Sequence, residues 1–210
     1  MKIYLASGNT HKAREFQELA GGPQTGRLQR VEILSAAAIG GMPPVVEDTG
    51  SFAGNARKKA RALRERLPAG AWALSDDSGL CVDALGGAPG VESAYYAGTQ
   101  ASGAQNLAKL VTVLREVPPD NRGAHYACVL VLIGPDRIEH VFEARCDGRL
   151  LREPAGTGGF GYDPLFVPEG QQRTFAELDA AVKNELSHRG RAWAKLAAWL
   201  RQNVAESNGS

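Results

Sequence analysis

The heptapeptide ALSDDSG, residues 73–79, decides how the rest of the chain is read. The apolar approach Ala71, Trp72, Ala73 and Leu74 reads as a buried strand, and at its exit stand Asp76, Asp77, Ser78 and Gly79. Two carboxylates a few ångströms apart repel one another, and burial disfavours both charged forms. A cation must therefore lie close. It can be a divalent metal held by one or two carboxylates together with ligand oxygens. The alternative is a solvated Asx turn that caps the next segment. This stretch alone leaves the two readings balanced, and the remaining residues have to separate them.

The bulk composition narrows the field. With 210 residues, 43% hydrophobic and 22% charged, the chain is expected to fold as one large domain or two small lobes. A formal net charge of +1 counts against a protein that coats nucleic acid through bulk electrostatics. Cys81, Cys128 and Cys146 lie in or beside apolar stretches without CxxC spacing, as small buried hydrophobes of a reducing compartment do. The first strand-like run is too short for a signal segment, and no apolar run reaches the ~20 residues that span a bilayer. The expectation is a cytoplasmic protein with no membrane partner.

Four further stretches carry chemistry. Lys2–Ala6 reads as a strand that enters the polar turn Ser7, Gly8, Asn9, Thr10, His11 and Lys12 before a helix with Phe16 and Leu19 inward. A strand, a small turn and a helix aim backbone N–H groups at an anion. The spacing is not that of a P-loop, and the alternative is a simple cap by Ser7 or Asn9. In EDTGSFAGNARKKA, residues 47–60, a second acid pair, Glu47 and Asp48, precedes a helix that places Asn55 and Lys59 on one face, with Lys58 turned away toward solvent. A Gly/Pro loop at 21–26 and a strand around Val31, Ile33 and Leu34 lie between these two stretches.

Residues 85–98 read as a structured loop, and 102–116 as a helix closed by Pro118 and Pro119. His125–Ile133 and Ile138–Cys146 read as a hairpin, so part of the sheet is antiparallel, with His140 at the surface. Gly156, Gly158 and Gly161 satisfy GxGxxG, but Tyr162, Asp163, Pro164 and Leu165 follow where a helix should start, which excludes a dinucleotide fold. This loop presents Phe160, Tyr162 and Asp163, an aromatic face beside a carboxylate that suits a stacked base; the alternative is a turn with core aromatics. Lys183 and then Ser187, His188 and Arg189 lead into a last helix, where cations in the first turn oppose the helix dipole unless they meet an acceptor. The residues after Asn203 read as a polar tail.

Set side by side, SGNTHK (7–12), EDTGSFAGNARKKA (47–60), SDDSGLCVDALGGAPGVESAYYAG (75–98), REPAGTGGFGYDPLF (152–166) and Lys183 with SHR (187–189) resemble the inosine triphosphate pyrophosphatase family over nearly the whole chain. The resemblance implies an α/β fold, a long mixed and partly antiparallel β-sheet flanked by helices, with two lobes and the active-site cleft between them. The domain would span residues 1–203, with 204–210 as a tail. It implies hydrolysis of ITP, dITP and XTP to the monophosphate and pyrophosphate with Mg²⁺, or Mn²⁺, by a homodimer that binds no nucleic acid. By motif position, Ser7, Gly8, Asn9, Thr10, His11 and Lys12 would hold phosphate, with Asn55 alongside, and Lys59 would meet the phosphate chain. Asp77 would be the general base, with Asp76 beside it at the metal. Glu47, Asp48, Asp76 and Asp77 are the candidate metal ligands, Glu47 favoured over Asp48. Ser78, Phe160, Gly161, Tyr162, Asp163, Lys183, His188 and Arg189 would hold the nucleoside. The segment between the glycine and asparagine of EDTGSFAGN is one residue shorter than the family pattern, Gly54 replaces its usual acid, and Tyr95 replaces an arginine.

The chemistry agrees with that resemblance. Attack of water on an α-phosphoryl group needs charge neutralisation, in-line positioning and a proton acceptor. The acid pairs with Lys12 and Lys59 supply these groups. Two alternatives are a related hydrolase that prefers pyrimidines or releases orthophosphate, and a nucleotide- or RNA-binding module without turnover; clustered acids disfavour the second.

Overall fold

The computed structural model describes residues 1–22 and 31–203. The rest of the expected Gly/Pro loop at 21–26 and the polar tail at 204–210 lie outside them. A six-stranded mixed sheet has the order β2-β1-β3-β4-β5-β6. Its strands are β1 (Lys2–Leu5), β2 (Glu32–Ser35), β3 (Trp72–Val82), β4 (Gly123–Ile133), β5 (Glu139–Leu150) and β6 (Phe166–Pro168). The helices are α1 (Thr10–Gly21), α2 (Phe52–Arg64), α3 (Gly103–Val113), α4 (Ala180–Leu186) and α5 (His188–Asn203). The chain divides into two compact units.

The first unit comprises Met1–Asp77, Cys128–Glu143 and Gly190–Ser210. Here β1 pairs in parallel with both β2 and β3, with Ile3 opposite Ile33 and Trp72. Parallel neighbours require crossovers, which α1 and α2 supply. Asn9 caps α1 by accepting from the N–H groups of His11 and Lys12. Phe16 and Leu19, three apart, are buried, and Phe16 meets Trp193 of α5 edge-on at 5.9 Å. Along α2 the buried Ala56, Ala60 and Leu63 follow helical spacing; the two alanines pack on Val129, Val131 and Ile133 of β4. Each large side chain fully buried in this way contributes roughly 1.5–3 kcal/mol. His140, expected at the surface, is half-buried with its ring 4.0 Å from that of Trp199.

The second unit comprises Ser78–Ala127 and Ala144–Arg189. Its core gathers Leu80, Val82, Leu110, Leu114, Tyr126, Phe166 and Phe175. A capping box of Ser102 and Gln105 starts α3. The buried Arg122 donates to the carbonyls of Leu114, Val117 and Leu151, which fastens the chain beyond α3. Strands β5 and β6 are antiparallel, with Arg149 opposite Val167. The connection from β4 to β5 is too short for a parallel crossover, so these neighbours are antiparallel as well.

One element differs from expectation. The acids do not stand at a strand exit: β3 runs unbroken from Trp72 to Val82 and carries Asp76 and Asp77 in its middle. The low strand preference of this segment is overridden by tertiary partners, among them Ser75 Oγ donating to the Ala56 carbonyl at 2.7 Å.

Candidate active site

In the first unit, alternation along β3 gives the two carboxylates different cations. Asp77 Oδ1 lies 2.6 Å from Lys59 Nζ, and the same ammonium lies 3.0 Å from Glu47 Oε2. Asp76 Oδ1 instead pairs with Lys12, at the start of α1, and its Oδ2 lies 3.4 Å from Cys128 Sγ. Asp77 is 6% exposed and Asp76 1%. Burial pushes the Asp77 carboxyl up to about 6, against the downward pull of Lys59 and Lys12. Burial also works against the Lys59 ammonium, but Asp77 and Glu47 outweigh it and raise Lys59 above its ordinary value. Asp77 Oδ2 is buried and has no hydrogen-bond partner among the described residues.

Glu47 and Asp48 stand on a segment without regular structure, and the two acids part. Glu47 joins Asp77 at Lys59, whereas Asp48 pairs with Lys58, which also donates to the Val46 carbonyl at 3.0 Å. Lys58 is thus a partly exposed charge, as expected, but one that pins the loop. Asn55 is buried; its Oδ1 accepts from Thr49 Oγ1 at 2.8 Å and Thr49 N at 3.2 Å, so its carbonyl is committed to this loop. The loop packs closely on Gly54: a Cβ there would stand 2.3 Å from Thr49 Oγ1. The turn Gly8–His11 is exposed beside Lys12, and the Asn9 side chain serves as the helix cap.

No group of three His, Cys, Asp or Glu side chains poised around a metal occurs among the described residues. The donor set is a pair. Glu47 and Asp77 reach one cationic nitrogen, and Asp77 keeps a buried oxygen without a partner among the described residues, which suits an ion such as Mg²⁺ that takes one or two carboxylates, waters and phosphate oxygens.

In the second unit, Asp163 is buried and gathers its neighbours. Its Oδ2 accepts from Lys183 Nζ at 2.7 Å and Phe160 N at 2.8 Å. Gly159, with φ +67°, lets the loop pass over this carboxylate, since a Cβ there would lie 2.2 Å from Oδ2. Lys183 Nζ sits 5.2 Å from the centre of the half-buried Phe160 ring, and the Arg189 guanidinium carbon 5.8 Å from it. Arg189 also donates to Ser78 Oγ at 2.9 Å. Gly161 is half-buried at φ +64°. Ser187, buried and extended, joins α4 to α5 and places His188 and Arg189 in the first turn. Tyr162 corrects the expected aromatic face: it is a core residue whose hydroxyl donates to the Ser93 carbonyl at 2.9 Å. Of the two rings, only that of Phe160 is left partly exposed.

Two further residues adjoin these clusters: Tyr126, which the sequence did not single out, and Cys128, expected only as a small buried hydrophobe. Tyr126 stacks on His188 with ring centres 4.6 Å apart and planes 7° from parallel, and its hydroxyl lies 3.4 Å from Asp163 Oδ1. Cys128 touches Asp76. Both sit in a strand whose apolar content concealed them; their i, i+2 spacing, which puts both side chains on one strand face, was the available signal.

Comparison with known proteins identifies the family. The family model of the Ham1 family matches residues 3–199. A dITP/XTP pyrophosphatase of Opitutus terrae is 61% identical over 203 residues, which cover 97% of this chain and 100% of that relative. One from Desulforamulus reducens is 47% identical over 93% of each chain. A solved HAM1 protein from Coxiella burnetii, 36% identical, superimposes with a TM-score of 0.82 over 96% of this chain and 99% of its own. The resemblance drawn from the five motifs therefore holds, and the chain belongs to the Ham1 family.

Proposed function

We propose that this protein is a metal-dependent hydrolase that converts the non-standard purine nucleotides dITP, XTP and ITP to the monophosphate and pyrophosphate. The observation that carries the reading is the Glu47–Asp77 pair on Lys59, with Asp77 Oδ2 buried and unpartnered among the described residues. The relatives named dITP/XTP pyrophosphatase support the substrate class.

Glu47 and Asp77 would hold Mg²⁺, or Mn²⁺ on the same donors, and the ion would neutralise phosphate charge when bound. Asp77 is the proton acceptor for the attacking water. Its two oxygens offer about four lone-pair sites, enough to meet Lys59, a cation and a water. Lys59 stays protonated and, with Lys12 beside the exposed Gly8–His11 turn, balances the polyphosphate. In the second unit, Phe160 supplies the apolar face for the base, and Lys183, His188 and Arg189 supply donors. A 6-keto purine accepts from such donors, whereas adenine presents an amino group there. One mismatched buried partner costs on the order of 1–3 kcal/mol. Ser78 and Asp163 orient Arg189, Lys183 and the Phe160 backbone. The working form is taken to be a cytoplasmic homodimer acting on free nucleotides.

The test is a panel of dITP, XTP, ITP and dATP with Mg²⁺ or EDTA, products separated by ion chromatography. Pyrophosphate from the first three, abolished by EDTA, is expected; orthophosphate as the first product would overturn the proposal.

A further inference from the structure

Cys128 lies on β4 with Sγ 3.4 Å from Oδ2 of Asp76, and both residues are 1% exposed. The other oxygen of the same carboxylate pairs with Lys12. Lys12 in turn stands in the first turn of α1, next to the exposed Gly8–His11 segment. We propose that Cys128 is a positioning residue of the hydrolytic site: its thiol donates to Asp76 Oδ2, fixes the plane of that carboxylate, and through it fixes the Lys12 ammonium that meets the phosphates. The role assigned to Lys12 rests on the functional reading above; the thiol–carboxylate contact does not.

Three physical points carry the inference. A carboxylate turns easily about its last torsion, where the preference is broad and two-fold, so donors on both oxygens hold it better than one. An ionised carboxylate only accepts, which makes the thiol the donor in this contact. A thiol is a weak donor in water, but in a site closed to solvent a modest hydrogen bond to a charge is strengthened. The competing role for Cys128 is that of a small buried hydrophobe. The two roles order the substitutions oppositely: a hydrophobe is replaced better by Ala than by Ser, a donor better by Ser than by Ala.

The experiment combines steady-state kinetics on dITP, thermal unfolding and infrared spectroscopy of the full chain. For Cys128→Ala, kcat should fall about tenfold, the worth of a modest hydrogen bond to a charged group, with KM nearly unchanged. Cys128→Ser should recover most of that loss although its melting temperature is no higher than that of the Ala variant. In wild-type protein without nucleotide or metal, the S–H stretch of Cys128, assigned by its absence in Cys128→Ala, should move to higher frequency in Asp76→Asn. Wild-type kcat in both Cys128 variants, or equal losses in both that follow their melting temperatures, would overturn the proposal. So would a band that Asp76→Asn leaves in place. Because the band is read without substrate, it tests the contact even if the wild-type assay shows that the functional reading fails.

Discussion

Lys59 Nζ stands 2.6 Å from Asp77 Oδ1, a contact that puts a protonated lysine against the carboxylate expected to take the proton from water. Removing the ammonium leaves Asp77 and Glu47 facing each other across the space it filled. Lys59→Met should lower kcat about a hundredfold, the scale of losing one preorganised charge at a reacting centre. Its melting temperature should fall without metal and recover with Mg²⁺, which then serves as the missing cation. Calorimetry and kinetics on one preparation check both; unchanged kcat would remove Lys59 from the chemistry.

Asp77 carries a pH dependence of defined sign. Its carboxyl is raised in the fold, to about 6, chiefly by burial. A carboxyl raised in this way favours the fold at acid pH, and that contribution is lost as pH climbs through the folded value. The metal-free protein should therefore lose roughly 3 kcal/mol between about pH 4 and pH 7 at this group, and Asp77→Asn should flatten the profile. A metal needs the ionised form, so apparent Mn²⁺ affinity should rise about tenfold per pH unit below about 6 and level off above it. Urea unfolding and Mn²⁺ titration across this range measure the two effects, and a flat Mn²⁺ profile would contradict the assignment.

The cluster proposed to hold the base makes a separate prediction. Tyr126→Phe keeps a ring stacked on His188 and removes only the hydroxyl near Asp163, so KM for dITP should change less than about fivefold. Tyr126→Leu removes the stack as well and should raise KM about tenfold while narrowing the preference for dITP over dATP. Steady-state kinetics on both nucleotides decides; wild-type KM and preference in the Leu variant would show that His188 does not need Tyr126.

Much of this architecture is readable in the residues themselves. The β1 and β4 runs, the Phe16–Leu19 spacing of α1 and the Pro118–Pro119 stop beyond α3 are local signals, and local physics forms them. Asp76 and Asp77 announced a charged centre, but their place in mid-strand did not follow, because the compensating Lys12 and Lys59 come from helices distant in the chain. Glu47 and Asp48 are nearly equivalent as a dipeptide; only the fold turns one to Lys59 and the other to Lys58. Tyr162 read as a base platform for the same reason, since nothing local marks which aromatic of a glycine-rich loop turns into the core. The seven-residue α4 was too short for its periodicity to stand out.

The packing of the loop before α2 can be tested through Gly54. A Cβ at this position would press on Thr49 Oγ1 at 2.3 Å and Thr49 Cβ at 2.6 Å. Gly54→Ala should therefore cost about 1–3 kcal/mol despite the usual helical advantage of alanine. It should also weaken Mn²⁺ binding, because Thr49 and Asn55 anchor the segment that carries Glu47. Chemical denaturation with Mn²⁺ titration checks this, and a stabilised variant would show that the loop yields without strain.

The central claim is that Asp77 activates water for attack on the α-phosphoryl group. It is tested most directly by turnover of dITP in oxygen-18 water, comparing wild-type protein with Asp77→Asn, with products analysed by mass spectrometry. The account predicts one label in the monophosphate, none in pyrophosphate, and a variant that binds dITP but turns it over at least a hundredfold more slowly. Label in the pyrophosphate, or undiminished turnover by Asp77→Asn, would contradict it.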